Sequence, residues 1–331
     1  MEIIEFCNKV KDKMEEMAGP KVSVEVSAIT KNNGILLNCI IVTREGRMIS
    51  PNIYLDDLYK EYESGRPFEE IIQNIFEIYR GSGVKKEFDM EFFTRYDNLK
   101  KNVAYKLISR KKNEELLEKI PYIEYLDMAI VFYCRVPDEK LSNATILIYN
   151  NHLEMWNISK DKLYEDAKKN IEKMLPALIQ PIEEIMKEIF VKDMGQESDE
   201  DDEQDWEQDS ECEADEEWFD QVYKQEFQSG EEDKIEGRMF VLGNEKKLFG
   251  AATILYEGIL EEFSKSVSKD IFILPSSVHE MILVPDDNDQ DAEKLWRMVC
   301  EINETQVEPE DVLSDSLYYF SRKAHKVEQI Y

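Results

Sequence analysis

Val22–Ala28 (VSVEVSA), Asn33-Gly34 and Ile35–Val42 (ILLNCIIV) decide the fold class of this 331-residue chain. In the first piece Val22, Val24, Val26 and Ala28 alternate with Ser23, Glu25 and Ser27. A period of two belongs to a strand with one buried face. Asn and Gly both tolerate positive φ, so Asn33-Gly34 predicts a hairpin turn. The third piece is almost continuously apolar, which suits a central strand covered on both faces. Helical patterns lie on either side of this hairpin along the chain. The expectation is an α+β fold with mixed or antiparallel sheets and packed helices.

Upstream, Ile3, Cys7, Val10, Met14 and Met17 share one helical face. Gly19-Pro20 ends that helix, because Gly accepts the left-handed cap and Pro cannot continue it. Downstream, Asp56–Glu63 predicts a second helix. Pro67 opens a third, with a wide apolar stripe of Phe68, Ile71, Ile72, Ile75, Phe76 and Tyr79. Gly81-Ser82-Gly83 is a joint and sets a domain boundary. A small α+β unit is expected over 1–83 and a larger one over 84–331. In the larger unit the pattern predicts helices over 88–100, 113–120, 159–174, 181–192, 256–267 and 291–303. It predicts strands over 103–109, 125–136, 145–149, 238–242, 251–255, 270–274, 279–284 and 316–320.

The net charge of −31 is concentrated in one place. Residues 193–236 hold 21 Asp and Glu against Lys224 and Lys234. Such a run repels itself and has too little apolar surface to fold alone. A disordered acidic insertion of low complexity is expected there. Its aromatic residues are the candidate site. Phe219, Tyr223 and Phe227 stand four apart, Trp218 and Val222 lie alongside, and Trp206 precedes them. A helix formed on contact gathers these rings on one face among acids. Peptides of that design dock in hydrophobic grooves with basic rims. The bland alternative is a solubilising linker.

The clustered Lys and Arg that bind phosphates or anionic lipids are missing, so neither nucleic acid nor a membrane is an expected direct partner. The longest fully apolar stretch, Met128–Cys134, is seven residues, against the ~18–20 a membrane span needs. Cys7, Cys39, Cys134, Cys212 and Cys300 form no close pair. Scattered thiols and an N-terminus without a basic region ahead of an apolar run point to the cytoplasm.

Motifs for chemistry are absent. Asp287, Asp289 and Asp291 share the first spacings of an EF-hand loop. Ala292 stands where its Gly belongs, and Met298 where its bidentate Glu belongs. His152 follows two Asn at a strand-to-helix junction, where bonding the turn backbone is the expected role. Cys134 falls inside an apolar strand, where burial raises a thiol's pKa. Asp56-Asp57 suit a helix start. No Gly-rich phosphate loop and no Gly-x-Ser-x-Gly is present. No catalytic, cofactor-binding or metal-binding residue is assigned, and no cofactor is expected.

Four stretches resemble an uncharacterised family from gut clostridia, domain of unknown function 5688. They are Ile49–Asp57 (ISPNIYLDD), Asn143–Trp156 (NATILIYNNHLEMW), Ile273–Pro285 (ILPSSVHEMILVP) and Asn303–Tyr319 (NETQVEPEDVLSDSLYY). The resemblance covers most of 1–192 and 237–331 and implies a bacterial protein. It brings no activity, cofactor or catalytic residue. The acidic stretch reads as an insertion between two family blocks. Three functions remain. The first is a non-catalytic cytoplasmic protein that binds another protein through Trp206, Trp218, Phe219, Val222, Tyr223 and Phe227. The second is an enzyme of unrecognised type, which requires Asp56, Asn151, His152 and His279 to meet in one cleft. The third is an acidic mimic of nucleic acid, which requires acids on a rigid surface.

Overall fold

Helix α1 (Ile3–Ala18) buries Phe6, Cys7, Val10 and Met14 and ends at Gly19, whose φ is 83° and whose N–H donates to the Glu15 carbonyl. The computed structural model describes residues 1–44, 52–81, 90–136, 144–187, 239–288 and 290–331. Strands β1 (Val22–Thr30) and β2 (Leu36–Arg44) pair antiparallel, with Val24 opposite Val42 and Val26 opposite Ile40. Asn33 and Gly34 both have positive φ, 59° and 71°. The loop has five residues and is closed by Lys31 N–H donating to the Ile35 carbonyl at 2.7 Å. Strand β3 (Asn52–Tyr54) pairs with the other edge of β2. Helices α1, α2 (Asp56–Glu63) and α3 (Phe68–Gly81) share a core with Val24, Ile40, Val42 and Ile53. Strand β2 is central, as its composition predicts, but cover is not continuous along it. Ile40 and Val42 on one face and Cys39 on the other are buried, Leu37 and Ile41 are half-buried, and Leu36 at the strand's start is exposed.

The second sheet is built on β6 (Met128–Arg135), buried from Met128 through Cys134. Strand β4 (Val103–Ser109) pairs with one edge of it along its length. Two short strands, β5 (Tyr122–Tyr125) and β7 (Thr145–Leu147), divide the other edge between them. Short helices α4 (Met90–Thr94), α5 (Tyr96–Leu99), α6 (Glu114–Leu117) and α7 (Asn150–Trp156) surround this sheet. Helix α8 (Lys160–Met174) lies against β4 and buries Leu163, Ala167 and Ile171. Its first turn is capped by Ser159, whose hydroxyl accepts from Lys162 N–H at 3.1 Å.

The third sheet has six antiparallel strands. They are β8 (Ala177–Pro181), β9 (Phe240–Asn244), β10 (Ile271–Ser277), β11 (Glu280–Pro285), β12 (Tyr318–Ser321) and β13 (Lys326–Gln329), in the spatial order β13-β12-β10-β11-β9-β8. One face sends Leu242, Ile271, Ile273, Met281 and Leu283 into a core shared with the second sheet, α8, α9 (Ile259–Val267) and a 3-10 helix (Gly250–Leu255). The opposite face packs Phe272, Leu274 and Val284 against Leu295 and Val299 of α10 (Ala292–Thr305).

All pairings among the described residues are antiparallel, so the protein is α+β with antiparallel sheets and packed helices. Several local expectations are corrected. The run 125–136 is not one strand: it turns at Leu126, with φ 56°, into β5 and β6. Pro181 closes β8, and the helix follows it over 182–187. Residues 251–255 are not a strand; they form a buried 3-10 turn, which an all-apolar run cannot distinguish from a strand. The insertion 193–236 and the joint at 82–83 lie outside the described residues.

Candidate functional site

The partner-binding candidates Trp206, Trp218, Phe219, Val222, Tyr223 and Phe227 lie outside the described residues. Their anchors do not. Strands β8 and β9 are hydrogen-bonded neighbours from Ala177 opposite Asn244 to Pro181 opposite Phe240. Beyond the last pair, Ile182 N–H donates to the Met239 carbonyl at 3.0 Å. The chain therefore leaves β8 and re-enters β9 side by side, at the edge of the sheet.

The most unusual chemistry among the described residues gathers where the 32–34 turn meets the rest of the chain. Asn33 is the centre of that contact. Its backbone N–H donates to Asn113 Oδ1 at 2.8 Å, and Asn113 Nδ2 returns a bond to Asn33 Oδ1 at 2.8 Å. Its own amide donates to the carbonyls of Pro309 and Val312, at 2.9 and 2.7 Å. Asn113 sits at the start of α6, yet its side chain is spent here and on the Ser109 carbonyl and does not cap the helix. Asn33 also needs the left-handed backbone that Asn tolerates and Ala does not. Asn33→Ala removes three side-chain hydrogen bonds. It is expected to lower stability by about 2 kcal/mol, read as an earlier urea midpoint, whereas Asn33→Gly loses the same bonds but accepts the left-handed backbone and should lose less.

Beside this junction Lys106 stands in β4 on the face it shares with Ala104, Val131 and Tyr133, its neighbours by pairing. Its ammonium lies over the Phe249 ring, 4.1 Å from the centroid. Phe249 adopts φ 50°, ψ 37°, a left-handed conformation that costs a bulky residue about 1–2 kcal/mol. Surrounding contacts hold it there. Its N–H donates to His279 Nδ1 at 3.2 Å, its ring stacks on His279 at 5.6 Å, and Tyr133 meets it edge-on at 5.3 Å. His279 Nε2 in turn lies 3.6 Å from Asp311 Oδ1. Lys106 has no ion pair and no hydrogen bond among the described residues. Burial pushes its pKa down to about 8, with Asp311 pulling it up and Lys31 pushing it further down. Tyr133 OH, Glu310 Oε2 and Asn32 Oδ1 are among the buried polar atoms that have no hydrogen-bond partner among the described residues.

A second polar cluster is fully satisfied. Asp127 Oδ2 accepts from Ser314 and Ser316, and Oδ1 from the Tyr318 hydroxyl, which also bonds Ser314. Burial, reinforced by Asp127, drives the Tyr318 hydroxyl far above its ordinary pKa. This cluster ties the β5–β6 turn to the 314–318 segment.

The residues required to meet in one cleft have separate neighbourhoods. Asp56 accepts from the Asn38 backbone and side chain at 2.7 and 2.9 Å, which corrects the capping role expected for it. His152 takes the Tyr149 N–H at 3.0 Å and packs among Phe93, Tyr149 and Trp156; burial lowers its pKa. Asn151 is exposed. Cys134 is buried in β6, where desolvation pushes its thiol up to about 12. Asp287 pairs with Lys269, and Asp291 caps α10 by accepting from Glu293 N–H at 2.9 Å. Among the described residues one open cavity of about 450 Å³ lies around Leu117, Pro121 and Asn150 and another of about 380 Å³ around Lys265, Arg322 and His325. Neither is lined by Asp56, His152 or His279. Sequence patterns do not point to Lys106, Phe249 or Asp311. The one available signal is a single charged residue in an otherwise apolar strand, VAYKLIS.

No helix among the described residues is long and apolar enough to cross a membrane. A family model described as a family of unknown function (DUF5688) matches residues 3–322. No curated protein and no solved structure matches the chain.

Proposed function

Because the chain belongs to DUF5688, a family of unknown function, we propose from its own residues that it is a non-catalytic cytoplasmic protein that binds another protein through its acidic aromatic stretch. The carrying observation is the place of that stretch in the fold. It connects β8 and β9, whose ends are hydrogen-bonded to each other from Ile182 to Met239. The connection that contains the stretch therefore starts and ends at one place on the sheet edge. The rings of Trp218, Phe219, Tyr223 and Phe227, with Val222 alongside and Trp206 before them, supply the apolar anchors. The acids supply attraction to a basic rim and a fast approach. The separate neighbourhoods of Asp56, His152 and His279 weigh against the particular cleft that the enzymatic alternative named.

The test compares three proteins in crosslinking capture from host lysate: the intact chain, a deletion of 193–236, and Trp218→Ala/Phe219→Ala/Tyr223→Ala/Phe227→Ala. The deletion is expected to fold, with stability equal or about 1 kcal/mol higher, because a shorter connection costs less to close. It is expected to lose the partner. The four-fold alanine variant keeps every acid and is expected to weaken binding at least tenfold, about 1.4 kcal/mol, and the isolated 193–236 peptide to compete. Capture unaffected by deletion sinks the reading. Loss on deletion with retention in the alanine variant assigns binding to charge alone and removes the aromatic anchors from the reading.

A further inference from the structure

We propose that the outer edge of β5 is a docking groove for an extended peptide in which apolar residues alternate with acidic ones. This goes beyond the partner-binding reading and does not depend on it, since the groove is built on β5, α6, α7 and α8. Strand β5 ends its sheet: β6 pairs with one side of it, and no strand among the described residues takes the other. The register decides which backbone groups that side offers. Tyr125 opposite Met128 closes a two-residue turn. Those two exchange hydrogen bonds and, by antiparallel alternation, so do Ile123 and Ile130. Phe132 keeps the same phase, its carbonyl accepting from Ile148 N–H at 2.9 Å on that edge of β6. The N–H and C=O of Tyr122 and Glu124 therefore point away from β6, and none of them has a backbone partner in another element among the described residues.

The cavity of about 450 Å³ runs along this edge, lined by Tyr122, Ile123 and Glu124 themselves. Its walls follow the two faces of the strand. Leu117 and Ile120 share a core with Tyr122 on one side, and Leu153 packs into the same core as Ile123 on the other. Lys160 also lines the cavity, at the exposed start of α8, whose Leu163 lies in the Ile123 core. The one acid of the lining, Glu124, is held by Arg110 at 2.8 Å. Its one base, Lys160, has no ion pair among the described residues, so the uncompensated charge of the groove is positive. The occupant follows from these groups. Unpaired N–H and C=O groups in a row select an extended backbone, which adds to the sheet as a further strand. Facing residues of an antiparallel pair share a face. The two peptide residues opposite Tyr122 and Glu124 exchange hydrogen bonds with them and turn apolar side chains towards Leu117 and Ile120. Between them, on the Ile123 face, stands the acidic residue, on the side from which Lys160 approaches.

The test titrates the intact, isotope-labelled chain with two pools of capped synthetic heptapeptides and follows its backbone amide signals. In one pool Ile, Val and Tyr alternate with Asp and Glu; in the other Lys replaces the acids. The acidic pool, raised to about 1 mM, is expected to shift the Tyr122 and Glu124 signals and slow their hydrogen exchange, and the lysine pool to leave them in place. Glu124→Pro removes an outward N–H that the ladder does not use, and it should bind about tenfold more weakly than Glu124→Ala. Lys160→Glu should weaken the acidic pool about tenfold and admit the lysine pool. No shift at Tyr122 and Glu124 with the acidic pool, or equal shifts with both pools, overturns the proposal. So do signals that move with protein concentration alone, which assign the edge to a second copy. So do signals that move on deletion of 193–236, which assign it to this chain's own stretch. The pool comparison uses the unsubstituted protein, so it stands whether or not a variant folds. Partner capture that survives the deletion would leave it untouched, so the two readings fail separately.

Discussion

Gly250→Ala is expected to destabilise the protein by about 3 kcal/mol or more, at or above the upper end of the usual range for overpacking. An added Cβ meets the His279 carbonyl oxygen at 2.4 Å, Gly243 Cα at 2.9 Å and Asn244 N at 3.0 Å. All three are backbone atoms of paired strands and their turn, so none can swing aside as the end of a long side chain would. The contact is also stitched on both sides: Phe249 N–H bonds His279, and Ala251 N–H bonds the Val278 carbonyl at 3.4 Å. Relief requires the 250–255 turn to lift from β9 and β11, which would uncover Ala251, Ala252 and Ile254 and carry Phe249 off Lys106. Gly243→Ala is the control. Its Cβ meets the His279 oxygen at 3.7 Å, an ordinary contact, and it should cost less than about 1 kcal/mol. Urea midpoints compare the two, and equal midpoints for Gly250→Ala and the unsubstituted protein would show that the close approach does not exist.

Asp127→Ala should cost about 3 kcal/mol, from two buried hydroxyls that lose their acceptor at about 1–3 kcal/mol each. Tyr318 is fully buried and Ser314 nearly so. Water therefore cannot replace the carboxylate without opening the contact between the β5–β6 turn and the 314–318 segment. Asp127→Asn keeps the size and one acceptor oxygen. The Ser314 hydroxyl can rotate to accept from the new amide, so the asparagine variant should lose less than half as much. Tyr318→Phe tests the same bond from the other end. If the carboxylate is the organising group, Asp127→Ala and Tyr318→Phe together should cost less than the sum of the two alone, since they share a bond. A fully additive pair would mean that Asp127 and Tyr318 do not interact.

Much of this fold is legible in the sequence. Helices α1, α2, α3, α8 and α10 fall where periodicity and punctuation put them: the Ile3–Met17 stripe before Gly19, Pro67 before Phe68, Ser159 before Lys160. The turn at Leu126-Asp127 is not legible, because Leu has no preference for positive φ. What holds it there is a set of hydroxyls nearly two hundred residues away in sequence, at Ser314, Ser316 and Tyr318. Strands β8 and β13 are outer strands of their sheet with weak alternation, and only their partners identify them. Asn113 looks like a helix cap, and Asn33 looks like a turn residue. Asn33 is that locally, whereas the Asn113 side chain leaves the helix uncapped; together they make a contact between distant parts of the chain.

The sequence by itself determined the α+β class, the antiparallel first hairpin, the long amphipathic helices and the concentration of acidic charge in one insertion. These follow from interactions between residues two to four apart, which local spacing encodes directly. Only the tertiary structure decided the β13-β12-β10-β11-β9-β8 order, the closed hairpin that carries the insertion, and the surroundings of Lys106. A lysine's chemistry depends on what excludes water from it. Here that cover comes from Phe249 and Tyr133, at a junction that Asn33 secures to Val312 across 279 residues. No window of sequence spans that distance, so desolvation and strand order arise only when the chain packs.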